Sequence, residues 1–179
     1  MSRRLVALLG ATCLLLLGVG SAIATGHGGG GGHKGDHHPG GHHQKAGAAL
    51  FAELSGRNEI NATTGQPGAG DPDGFGSASF TFDGNQLCFG ITVANLDTPG
   101  AAHIHKARKG QNGDIVVPLM PVPTSGDPGA SSGCVTVSDA MLAADIQAHP
   151  KAYYANVHTA AFPGGAVRGQ LKRLHGHHH

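Results

Sequence analysis

The sequence predicts an all-β protein with antiparallel strands and one short helix. Many short segments alternate apolar and polar residues, as Ser77–Phe82 does, and turns rich in Gly and Pro separate them. Only Ala140–Ala148, which follows a capping Ser-Asp pair, is typical of a helix, whereas a parallel sheet needs a helix between most strands. The expected architecture is therefore an antiparallel β-sandwich of the Greek-key, immunoglobulin-like or superoxide-dismutase-like kind.

Residues 1–24 have the pattern of a secretory signal peptide. Arg3 and Arg4 precede the apolar run Leu5–Val19, and Ala22-Ile23-Ala24 is a small-x-small cleavage motif. Gly and Thr residues interrupt the apolar run, which favours cleavage after Ala24 over the alternative of a membrane anchor. We expect a secreted protein of the extracellular space, periplasm or cell envelope, with no membrane span once the signal is removed.

Histidine-rich segments flank the predicted domain, which covers residues 47–174. Residues 25–46 are almost entirely Gly and polar residues, so we expect a disordered tail that cannot form a core. The tail histidines predict loose binding of divalent metal, and a plain Gly-rich linker is the alternative. Residues 175–179 form a second His-rich tail, either native or the remnant of an affinity tag, and its likeness to the first tail favours a native origin.

The charge of the chain without its signal is close to neutral. Ten Lys and Arg residues then face eleven Asp and Glu residues, which gives a net charge of −1 with histidine neutral. Nucleic acid is therefore not an expected partner.

Strands and loops alternate through residues 47–174. The predicted strands are Ala49–Leu54, Ser77–Phe82, Gln86–Leu96, a strand around His103–His105, Ile115–Leu119, Gly133–Val137, Tyr153–Thr159 and Ala166–Leu174. The main predicted loops are 61–76, 97–100 and 123–132. In the third strand Leu87, Phe89, Ile91 and Val93 should face inward, because alternate residues share a face.

Two cysteines, Cys88 and Cys134, remain after removal of the signal. One disulfide is the simplest arrangement in an exported protein, and two buried free thiols or metal-bound cysteines are the alternatives. Each cysteine is out of phase with the inward residues of its strand. We therefore expect a bridge between neighbouring strands, on the outer face of one sheet.

A His-x-His pair supplies the first part of a candidate metal site. His103 and His105 are two apart on one predicted strand, so their side chains share a face. Ile104 between them is the natural core residue, and it places both imidazoles on the opposite face.

The strand Tyr153–Thr159 has the same phase, with Val157 as its core residue. The residues expected on the face opposite the core are Tyr154, Asn156, His158 and, from the last strand, Arg168. If these strands are neighbours, His103, His105 and His158 converge, with Asn156 and Arg168 beside them. Three imidazoles suit Cu(II) or Zn(II), whereas hydrogen bonding within the sheet and loops is the alternative role.

Three segments together resemble the CHRD domain, a repeat first described in chordin and common in exported bacterial proteins. They are FAELSGRNE at Phe51–Glu59, HIHKARKGQNGDIVVPL from His103 and YYANVHTAAFPGGAVRGQL from Tyr153. The resemblance covers Ala48–Leu174 and implies an antiparallel sandwich and an exported location, without a defined activity. The family follows its Glu with Val-Pro-Pro, where this chain has Ile60-Asn61-Ala62, so the first connection should differ.

Two functions follow from these patterns. The first is an exported CHRD-domain binding or structural module with an unknown protein or matrix partner, holding Cu or Zn at its histidines. The alternative is a copper-dependent redox enzyme resembling superoxide dismutase, in which Arg168 attracts a small anion. No catalytic residue is assigned, because the sequence has no motif for another chemistry.

Overall fold

The computed structural model describes residues 47–174. The predicted signal peptide at 1–24 and the predicted tails at 25–46 and 175–179 lie outside the described residues. Nine strands and one α-helix, α1 (Ala140–Ala148), form the described part of the chain, together with the 3-10 helices Gly56–Asn58 and Pro150–Ala152. The strands are β1 Leu50–Ser55, β2 Phe75–Asp83, β3 Gln86–Ala94, β4 Pro99–Lys106, β5 Ile115–Pro118, β6 Gly129–Thr136, β7 Tyr153–Thr159, β8 Val167–Gln170 and β9 Lys172–Arg173.

The strands form one antiparallel sheet in the order β5-β4-β7-β8-β1-β2-β3-β6, and β9 pairs with β1. The sheet nearly closes on itself, in a barrel-like or sandwich-like form. This confirms the predicted all-β antiparallel class with one short helix. It also places β7 between β4 and β8, although a long connection separates β4 from β7 in the sequence.

The core lies on the inner face of this sheet. Leu87, Phe89, Ile91 and Val93 of β3 are all buried, as their alternation predicts. Ile104 of β4 is fully buried with them. Successive residues of a strand point to opposite faces. The residues next to these core positions in the sequence therefore point to the outer face of the sheet.

Helix α1 has the predicted bounds. The Asp139 side chain accepts a hydrogen bond of 2.8 Å from the Met141 amide, and thereby caps the first turn. Ala143 and Ile146 are the buried residues of the helix, whereas Met141 is exposed. The Tyr153 hydroxyl donates to the Asp145 carboxylate, which ties the helix to β7.

Cys88 and Cys134 form the predicted disulfide. They face each other directly across β3 and β6, with their Cα atoms 3.9 Å apart. The bridge thus joins the edge strand β6 to its neighbour in the sheet.

Three strands extend into segments that the sequence predicts as loops. Strand β2 begins at Phe75 rather than at Ser77, β4 begins at Pro99 rather than after residue 100, and β6 begins at Gly129 rather than at Gly133. The added part of β6, Gly129–Ser132, pairs with β3 although its small and polar residues lack an apolar stripe. Backbone pairing with an adjacent strand sets the ends of these strands, and amino-acid composition does not reveal this pairing.

Candidate metal centre

The three predicted histidines lie on neighbouring strands. Strand β4 pairs antiparallel with β7, with Ala101 opposite His158 and His103 opposite Asn156. His158 is therefore the diagonal neighbour of His103 on the same face of the sheet. The opposite face of the same strands carries core residues, as the alternation of apolar and polar residues predicts.

The imidazole rings form a compact cluster. One ring nitrogen from each of His103, His105 and His158 lies within 4.8 Å of those from the others. Ring centroids are 5.1 Å apart for His103 and His158, 5.7 Å for His103 and His105, and 6.0 Å for His105 and His158. The structure thus brings together all three histidines that the sequence selects.

Backbone carbonyls hold two of the rings in a defined tautomer. The Nδ1 atom of His105 lies 2.9 Å from the Gly113 carbonyl oxygen, and Nδ1 of His158 lies 3.0 Å from that of Pro163. A carbonyl only accepts, so each Nδ1 carries the proton and donates it. The Nε2 atom of each neutral ring is consequently left with a free lone pair.

The remaining nitrogen atoms have no hydrogen-bond partner. Nε2 of His105, Nε2 of His158 and Nδ1 of His103 are buried and unpaired within the described residues. Buried polar atoms are usually satisfied, so three orphans in one cluster need an explanation. An ion that accepts three lone pairs would satisfy all of them.

The cluster environment keeps the rings neutral. Burial, together with the nearby rings of His158 and His105, lowers the pKa of His103 to about 4. Burial also lowers the pKa of His105 and of His158, although their hydrogen bonds to backbone carbonyls oppose the effect. Neutral imidazole is the form that binds a metal ion.

The polar face around the cluster is buried, which the alternation of residues along the strands does not predict. Tyr154, Asn156 and Arg168, expected on an outer face, are each only 2% exposed, and His105 is 7% exposed. The reason is a set of loops that fold over the face. Among them, loop 107–114 supplies the Gly113 carbonyl that orients His105.

Arg168 is held in place by this loop. Its guanidinium donates at 2.7 Å to the Asn112 side chain and at 2.6 Å to the Gln111 carbonyl. The Asn112 amide donates in turn to the Ile60 carbonyl at 2.9 Å, which joins the loop to a second loop. Arg168 therefore holds loop 107–114 over the polar face. Its guanidinium is hydrogen-bonded to this loop and is not a free cation beside the histidines.

Glu59 is a buried acid that is not among the site residues predicted from the sequence. It is 3% exposed, and its carboxylate lies 4.0 Å from the Arg168 guanidinium. Burial raises the pKa of Glu59 to about 8, although Arg168 opposes the rise. The only sequence signal for it is its position in the LSGRNE segment that carries the family resemblance.

Asn156 lies next to the cluster without a hydrogen bond to a ring within the described residues. It is paired with His103 on one side and with Arg168 on the other, so the three residues form a row across β4, β7 and β8. In the described residues no hydrogen bond joins Asn156 or Arg168 to an imidazole; the carbonyls of Gly113 and Pro163 orient the rings instead.

The cluster geometry is close to that of a bound site. Ligand nitrogens on one Zn ion lie about 2.0–2.1 Å from it, hence at most roughly 4.2 Å from one another. Ring movements on the order of 1 Å would bring the present nitrogens to that spacing. The three histidines could therefore hold a metal ion.

These features define a disulfide-bonded all-β domain with a three-histidine cluster on one face of its sheet. The family model of the CHRD domain matches residues 50–171, and the chain belongs to this family. The match confirms the resemblance seen in the sequence, and it makes the domain a module of extracellular type. No curated protein and no solved structure matches the chain. Within residues 47–174, no helix combines the length and apolar character needed to cross a membrane.

Proposed function

We propose that this protein is an exported CHRD-domain module that binds one divalent metal ion, Cu(II) or Zn(II), through His103, His105 and His158. The observation that carries the proposal is the set of three buried, unpaired imidazole nitrogens on two adjacent strands. Two of the rings already donate their other nitrogen to a carbonyl, the arrangement that orients histidine ligands in metal sites.

The ligand set favours Cu or Zn over harder ions. Imidazole suits Zn(II) and Cu(II), whereas Mg(II) and Ca(II) prefer oxygen ligands. Three protein ligands also leave a coordination position for water or for a group from a partner. The half-buried His103 and His158 leave the cluster within reach of solvent. We infer that the bound metal stabilises the module or helps it to bind a protein or matrix partner.

Export is part of the same proposal. The predicted signal at 1–24 and the family support it, and the Cys88–Cys134 disulfide suits an oxidising compartment. Mass spectrometry of protein recovered from the culture medium or periplasm tests this point. We expect an amino terminus at Thr25, and a product that retains residues 1–24 would contradict the proposal.

Metal binding is tested on residues 47–174, because the histidines of both tails would obscure the result. Calorimetric titration with Cu(II) and with Zn(II) should give one ion per chain at micromolar or lower Kd. His158→Ala should weaken binding at least tenfold, since it removes one of three ligands. His149→Ala is the matched control, because His149 is the one histidine of residues 47–174 outside the cluster. Equal binding by parent and His158→Ala would contradict the proposal.

A copper-dependent redox enzyme remains the second candidate, supported by the open coordination position. The hydrogen bonds of Arg168 to Gln111 and Asn112 count against its expected role as a guide for a small anion. Superoxide dismutation by the copper-loaded domain, compared with its His158→Ala variant, separates the two functions. Activity that depends on His158 would favour the enzyme.

A further inference from the structure

Positive charge is concentrated around one cavity of the domain. Residues 47–174 contain eight Lys and Arg residues and ten Asp and Glu residues, an excess of two negative charges. A cavity of about 680 Å³ nevertheless has five of the eight cations in its wall and a single carboxylate, that of Glu53. The five are Arg57, Lys109, Lys151, Arg168 and Lys172.

Among the described residues, three of these cations have no partner of opposite charge. Lys172 is paired with Glu53 at 2.7 Å, and Arg168 is buried. Arg57, Lys109 and Lys151 form no ion pair within residues 47–174, and all three are exposed. Like charges around a concave surface repel one another and concentrate the positive field inside it. An anion is therefore the ligand that this wall favours.

The wall is not purely ionic. Ile60 and Pro67 contribute apolar surface, and the cavity volume falls in the range of sites for small organic ligands. We propose that this cavity binds a compact organic oxyanion of about one or two sugar rings in size that carries at least two sulfate or phosphate groups. The apolar residues contact the body of the ligand, and Arg57, Lys109 and Lys151 pair with its charged groups.

This site is distinct from the histidine cluster, and no histidine of residues 47–174 lines it. Two links connect the sites. In loop 107–114, Lys109 lines the cavity and the Gly113 carbonyl orients His105. Arg168 also lines the cavity, and it lies over the Tyr154 ring that stacks on His105. Anion binding in this cavity needs no metal, so its test is independent of the test of the proposed metal site.

The test is a calorimetric titration of the full chain at pH 7.5 with EDTA present, so that the tails carry neither metal nor protonated histidine. Sucrose octasulfate and fructose 1,6-bisphosphate are the two charged probes, and sucrose is the uncharged control. We expect saturable binding of at least one charged probe, weakening as NaCl rises, and none of sucrose. The tighter charged probe identifies sulfate or phosphate as the preferred group.

Neighbouring residues on one loop provide a matched pair of variants. Lys109→Gln should weaken binding roughly three- to tenfold, the range for loss of a charge-assisted contact. Arg108→Gln removes the same charge from the adjacent exposed residue, which does not line the cavity, and should change the Kd less than twofold. Absence of binding by both charged probes would overturn the proposal, and so would equal losses in the two variants.

Discussion

The Arg168 guanidinium lies over the Tyr154 ring, with its central carbon 3.9 Å from the ring centroid. The His105 ring is parallel to the same tyrosine within 6°, at a centroid distance of 4.8 Å. Because β7 lies between β4 and β8, Tyr154 stands between the histidine and the arginine. This stack connects the histidine cluster to the buried Arg168 and Glu59, and it makes the polar face a packed layer.

We expect Arg168→Lys to destabilise the domain by roughly 2–4 kcal/mol, since lysine lacks the planar guanidinium that stacks on Tyr154 and donates from two separate nitrogens to loop 107–114. Urea denaturation measures the loss of unfolding free energy. Arg108→Lys is the control, because Arg108 is exposed and on the same loop. Similar denaturation midpoints for parent and Arg168→Lys would show that the stack and its hydrogen bonds contribute little.

The histidine cluster should make the metal-free domain sensitive to acid. The folded pKa of His103 is about 4, below the ordinary value of 6.5, so the unfolded chain binds protons first as the pH falls. Stability contributed by the neutral ring is complete above about 6.5 and is lost as the pH falls toward 4. His103→Gln should flatten the fall in unfolding free energy over this window. A parent-like slope in His103→Gln would contradict the assignment.

The same lowered pKa values extend metal binding to lower pH than ordinary histidine would allow. Protons compete with a metal for imidazole only near and below its pKa, and burial lowers the pKa of all three cluster histidines. We expect the Zn(II) Kd of residues 47–174 to change little between pH 7.5 and 6.5 and to rise steeply at more acid pH. Competition with a chromophoric chelator at each pH measures this. A tenfold loss of affinity by pH 6.5 would show that the cluster titrates like exposed histidine.

Glu59 should make the opposite contribution to the pH profile. Its folded pKa of about 8 exceeds the ordinary 4.5, so the folded state holds a proton that the unfolded state releases. The resulting stability is complete at low pH and is lost as the pH rises through about 8. Glu59→Gln mimics the protonated acid and should gain roughly 1–3 kcal/mol relative to the parent between pH 5 and pH 9. Thermal melts at several pH values measure the difference, with exposed Glu53→Gln as control; a constant difference would mean that Glu59 is ionised in the fold.

The Cys88–Cys134 bridge should contribute substantially to stability. The two cysteines are 46 residues apart in sequence, and closing a loop of that size stabilises by roughly 3–4 kcal/mol in the chain-entropy model. The double variant Cys88→Ala/Cys134→Ala should show this loss in urea denaturation. Reducing agent should destabilise the parent and leave the double variant unchanged. An equal response of both proteins to reductant would contradict the prediction.

Local alternation is sufficient to predict much of the fold. It identifies the inward stripe of β3, the bounds of β7 and the outward phase of Cys88 and Cys134. These features are visible because a strand repeats every two residues and one face must be apolar. The added start of β6 at Gly129–Ser132 has no such stripe, so its pairing with β3 is not readable from composition.

The sequence by itself determined that His103 and His105 share a face and that His158 has the matching phase. Only the tertiary structure decided that β4 and β7 are neighbours, which makes the three imidazoles one cluster. It also decided that this face is buried, because the contacts that cover it join distant residues, as Arg168 joins Asn112. Periodicity reports which side of a strand a residue occupies, and the loops that pack on that side carry no period from which their positions can be predicted.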